Sequence, residues 1–170
     1  MNGEKGNELK RRNLDWLEGR ASAAQGDTVL IVDDSESDIF FLLRAFAVSK
    51  VRNPVQVVRS GSEAIDLLRG AGKYANRVQF PLPKIVFLDL RMPPPNGVDV
   101  LRWKQKQPDL PKMLWVAMSN FDSPRTINEA YASGASTFLI KPLDGEEVRN
   151  LIEAFEEFWK LQGTAKVERT

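Results

Sequence analysis

Neither cysteine nor histidine occurs anywhere in the 170 residues. Without cysteine there is no disulfide framework, no thiolate metal site and no cysteine nucleophile. Without histidine there is no imidazole base, and the chain cannot itself carry a phosphohistidine. Charge of one sign is also lacking: 24 Lys and Arg stand against 23 Asp and Glu, a formal net charge of +1. That balance gives no general reason to expect nucleic acid or an acidic membrane as partner. No apolar run approaches the roughly 20 residues that span a bilayer, and no apolar signal segment opens the chain. The expected compartment is the cytoplasm. There is no internal repeat and no low-complexity tract.

What remains fits one domain with a modest surplus. Residues 1–26 are rich in Gly, Asn, Lys, Arg and Glu, with a short helical pattern from Glu8 to Arg20 that carries Leu9, Leu14, Trp16 and Leu17. They read as an extension and linker, with Trp16 and Leu17 able to dock on the domain or a partner. From Thr28 short apolar, β-branched runs alternate with helical spacing. The runs are Thr28 to Val32, Val55 to Val58, Ile85 to Leu88, Met113 to Ala117 and Thr137 to Ile140. Between them Ile39, Leu42, Leu43 and Phe46 recur at helical spacing behind a Ser35 N-cap. Gly61 to Arg69 makes a helix with Ala64, Ile65 and Leu68 inward; Val98 to Gln107 and Pro124 to Ser133 make two more. Asp144 and Glu147 form a capping-box pattern ahead of a last helix lined by Val148, Leu151, Ile152, Phe155 and Trp159. The domain is expected over 27–161, followed by a polar tail over 162–170. Strands alternating with helices predict an α/β fold: an open, mostly parallel sheet covered on both faces, with ligand sites at the carboxyl ends of its strands.

Those strand ends carry the chemistry. The first is followed by Asp33-Asp34, the third by Asp89, the fourth by Ser119-Asn120 and the fifth by Lys141-Pro142. Singly, each has an ordinary use as a helix cap or a solvated loop charge. Together they put three carboxylates on one rim, which repel unless a cation sits among them. A hard divalent ion such as Mg2+ suits oxygen donors of this kind. A hydroxyl and an ammonium beside them can hold the oxygens of a phosphoryl group, and a carboxylate can attack phosphorus.

In Val32-Asp33-Asp34, Phe87-Leu88-Asp89-Leu90-Arg91-Met92-Pro93, Ser119 and Lys141-Pro142, with Gly97 at the family's distance after Asp89, the chain resembles response-regulator receiver domains of two-component signalling. The resemblance implies a doubly wound, flavodoxin-like sheet of five parallel strands in the order 2-1-3-4-5 with five helices. It implies Asp89 as phosphoacceptor and Mg2+ held by Asp34 and Asp89, by Asp33 mainly through water, and by the backbone carbonyl of Arg91. Ser119 and Lys141 would contact the phosphoryl group, and the Lys141-Pro142 bond would be cis. The implied partner is a sensor histidine kinase. Gly72 to Ala75 and Phe80 to Pro83 are similar to the small regulators paired with bacterial phytochrome-type kinases. With no output domain after the last helix, output would be a protein contact or a homodimer. Its usual surface is helix 4, strand 5 and helix 5; Phe158 reads either as part of that surface or as the edge of the core stripe.

Three departures bear on this expectation. Phe138 stands where the family's switch aromatic is often Tyr, so it can move by packing but offers no hydroxyl. Asn120 stands where the family commonly has a small residue, and is expected to slow small phosphodonors. Arg91 is expected to reach over the phosphoryl group or to pair with a carboxylate. Two readings compete. A phosphorylation-independent scaffold would usually have lost the acceptor, an acidic residue or the lysine. An aspartate-nucleophile hydrolase of the haloacid-dehalogenase type would need a second Asp where Arg91 stands. A nucleotide-binding fold is disfavoured because no glycine-rich phosphate loop follows the first strand.

Overall fold

Five short apolar segments pair in parallel in the computed structural model, which describes residues 28–49, 51 and 53–161, with side chains as far as 155. The strands are β1 (Val29–Val32), β2 (Val55–Val58), β3 (Ile85–Asp89), β4 (Leu114–Ser119) and β5 (Thr137–Ile140). Their order in the sheet is β2-β1-β3-β4-β5. The helices are α1 (Glu36–Val48), α2 (Gly61–Arg69), α3 (Gly97–Gln105), α4 (Pro124–Ala132) and α5 (Gly145–Leu161), with a 3-10 turn at Gly72–Ala75. The expected extension over 1–26, its Trp16 and Leu17, the tail over 162–170 and the side chains of Phe158 and Trp159 lie outside the described residues.

The period of two along a strand divides the core into two layers. Val29, Ile31, Ile85, Phe87, Leu114 and Val116 face α1 and α5, where they meet Ile39, Leu42, Phe46, Val148 and Leu151. Leu30, Val32, Val86, Leu88, Trp115 and Ala117 face the opposite way, onto Ala64, Leu67, Leu68, Val100, Leu101 and Ala130 of α2, α3 and α4. Every residue of β1, β3 and β4 is buried. Each large side chain taken fully from water stabilises by about 1.5–3 kcal/mol. The edge strands β2 and β5 are mostly half-buried.

Several boundaries differ from the sequence expectation. β4 begins at Leu114 and runs on through Met118 to Ser119, so the serine is the strand's last residue rather than part of a following loop. α3 covers Gly97–Gln105, started by a reciprocal capping box between Asn96 and Asp99. Ile65 is only half-buried, at the edge of the inward stripe that Ala64, Leu67 and Leu68 form. The Ser35 cap and the Asp144–Glu147 capping box both form as expected.

The long link between α2 and β3 is held by its own polar contacts. Gly70 caps α2 in the left-handed conformation at φ 70°. Arg77 then donates to the carbonyls of Leu67 and Leu68 at 2.7 and 2.8 Å, satisfying the end of that helix. Tyr74 is buried edge-on to Phe80 and donates to Glu63 at 3.1 Å.

The strand order fixes where a ligand can sit. From β1 the chain crosses to β2 on one side and from β3 to β4 on the other, which opens a crevice between β1 and β3 at their carboxyl ends.

Candidate functional site

Parallel register brings the site residues to one level. Val32 pairs with Leu88, Asp89 with Met118, and Ser119 with Ile140. Asp33 therefore leaves β1 beside Asp89, while Lys141 leaves β5 beside Ser119. Two backbone bonds beyond the strands lock this rim: Leu90 N–H to Met118 carbonyl and Lys141 N–H to Ser119 carbonyl, each 2.9 Å. The Lys141-Pro142 bond is cis, as is Pro94-Pro95.

Burial sorts the charged groups. Asp33, Asp89 and Lys141 are 1%, 4% and 9% exposed, whereas Asp34 is exposed. The Lys141 ammonium lies 2.6 Å from Asp33 Oδ2, 2.9 Å from Asp38 Oδ2 and 3.4 Å from Asp89 Oδ1. Asp33 Oδ1 accepts from the Ser35 amide at 2.9 Å, and Asp89 Oδ1 accepts from the Arg91 amide at 3.1 Å. Buried charges need such partners, since an unpaired one costs several kcal/mol.

Burial pushes both acidic groups up. Asp33 is raised above the usual carboxylate range by loss of water, against the pull of Lys141 and the Ser35 amide. Asp89 is raised for the same first reason, opposed by Lys141 and the Arg91 amide and reinforced by Asp34. For Lys141, burial alone acts downward, but the hydrogen bonds it donates to Asp33 and Asp38 and the charge of Asp89 outweigh it and the net direction is up. The site thus holds excess negative charge that the protein only partly neutralises.

Asp33, Asp34 and Asp89 each offer a carboxylate oxygen, all within 4.8 Å of one another. An all-oxygen donor set fits a hard divalent cation such as Mg2+, and the uneven burial leaves one side open to water. Ser119 is fully buried, and its Oγ accepts from the Phe121 amide at 3.1 Å, which leaves the hydroxyl proton for another acceptor. The N-cap of α4 is Ser123, so Ser119 does not have the capping role a serine there could have had.

Phe138 is half-buried against the core layer formed by α2, α3 and α4. Asn120 is exposed on the rim. The Arg91 guanidinium stacks 4.6 Å over the Phe121 ring. The sequence reading missed Asp38 as a partner of Lys141. Asp38 lies in the first turn of α1, and no local pattern ties it to a lysine 103 residues away.

A buried aspartate at the end of β3, flanked by an acidic pair, a hydroxyl and a lysine on a 2-1-3-4-5 sheet, defines a receiver-type signalling domain. Residues 29–153 match the family described as the response regulator receiver domain, and the chain belongs to that family. Among curated relatives, the probable methanogenesis regulatory protein FilR2 of Methanothrix harundinacea is 29% identical over 134 residues, 77% of this chain and 82% of that protein. Among solved structures, the response regulator RPA3017 in red light signalling of R. palustris superposes with a TM-score of 0.69 at 28% identity, covering 82% of this chain and 97% of that one. The phosphorylated cyanobacterial phytochrome response regulator RcpA gives 0.65 at 29% identity, covering 81% and 96%. The chain is thus similar to single-domain regulators of bacterial phytochrome systems, which is the subgroup its linker resembles.

Proposed function

We propose that this chain is a phosphorylation switch: Asp89 accepts a phosphoryl group from a sensor histidine kinase, and the altered surface signals by protein contact. The observation that carries the reading is the buried Asp89 carboxylate 3.4 Å from the Lys141 ammonium, within the oxygen cluster it forms with Asp33 and Asp34. Asp34, Asp89 and the Arg91 carbonyl would hold Mg2+ directly, with Asp33 contributing mainly through water. When bound, the ion supplies positive charge that offsets the charge on the transferring group.

The chain's own residues do the rest. An Asp89 oxygen attacks phosphorus as the bond to the donor's nitrogen or oxygen breaks, leaving an acyl phosphate. Lys141 turns from its carboxylates to a phosphoryl oxygen, and Ser119 donates its hydroxyl proton to another. The movement of Ser119 makes room for Phe138, which transmits the change to the face of α4, β5 and α5. Tyr131 and Ile140 are exposed on that face, 48% and 44%, which supports its use for a partner or a second copy.

The domain boundaries we assign are 27–161, and the compartment is the cytoplasm. Among the described residues no helix is long and apolar enough to cross a membrane. The kinase is of the phytochrome type, by similarity to the regulators above. The chain takes up phosphate once and releases it slowly, and is not a turnover enzyme. Incubation with labelled acetyl phosphate, with and without Mg2+, tests this. Label retained by the wild type only with Mg2+, and never by Asp89→Asn, is expected. Folded protein that binds Mg2+ but takes no label from acetyl phosphate or a kinase would favour the scaffold reading. Continuous release of phosphate over many turnovers would favour the hydrolase.

A further inference from the structure

Lys141 has more carboxylate around it than the switch chemistry requires. Asp33 and Asp89 belong to the oxygen cluster, but Asp38, at 2.9 Å, does not. Asp38 sits in the first turn of α1 with its backbone N–H on Ser35 Oγ at 3.3 Å, while the Ser35 amide holds Asp33 Oδ1 at 2.9 Å. One helix start therefore holds the Asp33 carboxylate and the Asp38 backbone, and both side chains reach the Lys141 ammonium. Buried Leu42, Met118 and Leu143 line the same small cavity as Asp33, Asp38 and Lys141.

A cation and the ammonium compete for the same oxygens. Lys141 is attracted to Asp33 and Asp89, which are also the groups a divalent ion needs. A carboxylate outside the cluster shifts that competition by drawing the ammonium towards α1. We propose that Asp38 is a positioning residue for Lys141: it shares the ammonium with Asp33 and thereby keeps the lysine from closing on Asp89 and excluding Mg2+. This rests on the phosphorylation-switch reading and adds to it a residue outside the metal and phosphoryl ligands.

Two ordinary roles must be separated from this one. Asp38 could act only as a negative charge near a helix N-terminus, which affects stability. It could also attract Mg2+ directly through space, without the lysine. A double-mutant cycle on Mg2+ affinity distinguishes all three. Calorimetric Mg2+ titration is made on the full chain as wild type, Asp38→Asn, Lys141→Met and the double variant, with thermal melts alongside.

Asp38→Asn is expected to weaken Mg2+ about three- to tenfold with Lys141 present, and less than about twofold with Lys141→Met. Asp38→Glu, which keeps the charge, should recover most of the loss. Equal weakening in both backgrounds would overturn the proposal in favour of direct attraction. Unchanged affinity with a lowered melting temperature would overturn it in favour of a helix-end role. Should the asparagine variant not fold, Asp38→Ser takes its place in the cycle. A wild type that binds no Mg2+ overturns both this proposal and the switch reading. A wild type that binds Mg2+ and is labelled on Asp89, with a flat cycle, overturns only the role of Asp38.

Discussion

Gly97→Ala would put a Cβ 2.3 Å from the Asp89 carbonyl oxygen, 2.8 Å from Leu90 Cα and 3.0 Å from the Asp89 carbonyl carbon. All three are backbone atoms, so no side chain can rotate away. Carbon and oxygen in ordinary contact stand roughly 3.3 Å apart, so the start of α3 or the end of β3 must move by about 1 Å. Overpacking of this kind costs about 1–3 kcal/mol, occasionally more. The better helix propensity of alanine offsets at most about 1 kcal/mol, and less in a first turn. We therefore expect a net loss of about 1–2 kcal/mol. At about 2–4 °C per kcal/mol for a chain of this size, the melting temperature should fall by roughly 2–8 °C. Because the displaced atoms belong to Asp89 and Leu90, Mg2+ affinity should fall as well. Gly72→Ala is the control: it has φ +55° but nothing within 4 Å of the added Cβ, so only the conformational cost of about 1–2 kcal/mol applies and Mg2+ binding should not change. Urea unfolding followed by far-ultraviolet circular dichroism measures the stabilities. A loss below about 0.5 kcal/mol for Gly97→Ala, with wild-type Mg2+ affinity, would refute the close-approach argument.

Three further outcomes follow from the same geometry. The raised Asp89 carboxyl binds its proton more tightly folded than unfolded, so its stabilising effect is lost as pH rises from the unfolded value through the raised folded one. In Mg2+-free buffer at pH 7, Asp89→Asn should be more stable than wild type, with the gap closing as pH falls to the ordinary carboxylate range; a variant less stable at pH 7 would contradict this. Asn120→Ala should accept phosphate from acetyl phosphate faster than wild type, in single-turnover labelling, since it removes bulk from the exposed rim. Phe138→Tyr should leave the labelling rate within about twofold while changing partner affinity in one phosphorylation state, measured by titration against the isolated kinase; unchanged affinity in both states removes any role for the missing hydroxyl.

The strand ends were legible because β1, β3 and β4 are buried on both faces and so read as unbroken apolar runs. Once those runs are strands in a parallel sheet, Asp33, Asp89 and Ser119 must share a rim. Edges were harder. Asn96 and Asp99 start α3 through a reciprocal bond pair that sits in a proline-rich loop, where no apolar stripe marks the boundary. Arg77 gave no sequence signal at all, because its use depends on where the carbonyls of Leu67 and Leu68 end up. Asp38 was hidden for a related reason: its partner is 103 residues away, and only the β5 register brings Lys141 to it. The contact of Arg91 with the Phe121 ring was not legible either, since it depends on Phe121 following β4 onto the same rim.

The central claim is that Asp89 carries the phosphoryl group. Borohydride reduction of the labelled protein converts an aspartyl phosphate to homoserine, and peptide mass sequencing then locates the modified residue. We predict homoserine at position 89 alone, in samples phosphorylated with Mg2+ present. Phosphate retained on Ser119, or homoserine at Asp33 or Asp34, would contradict the account.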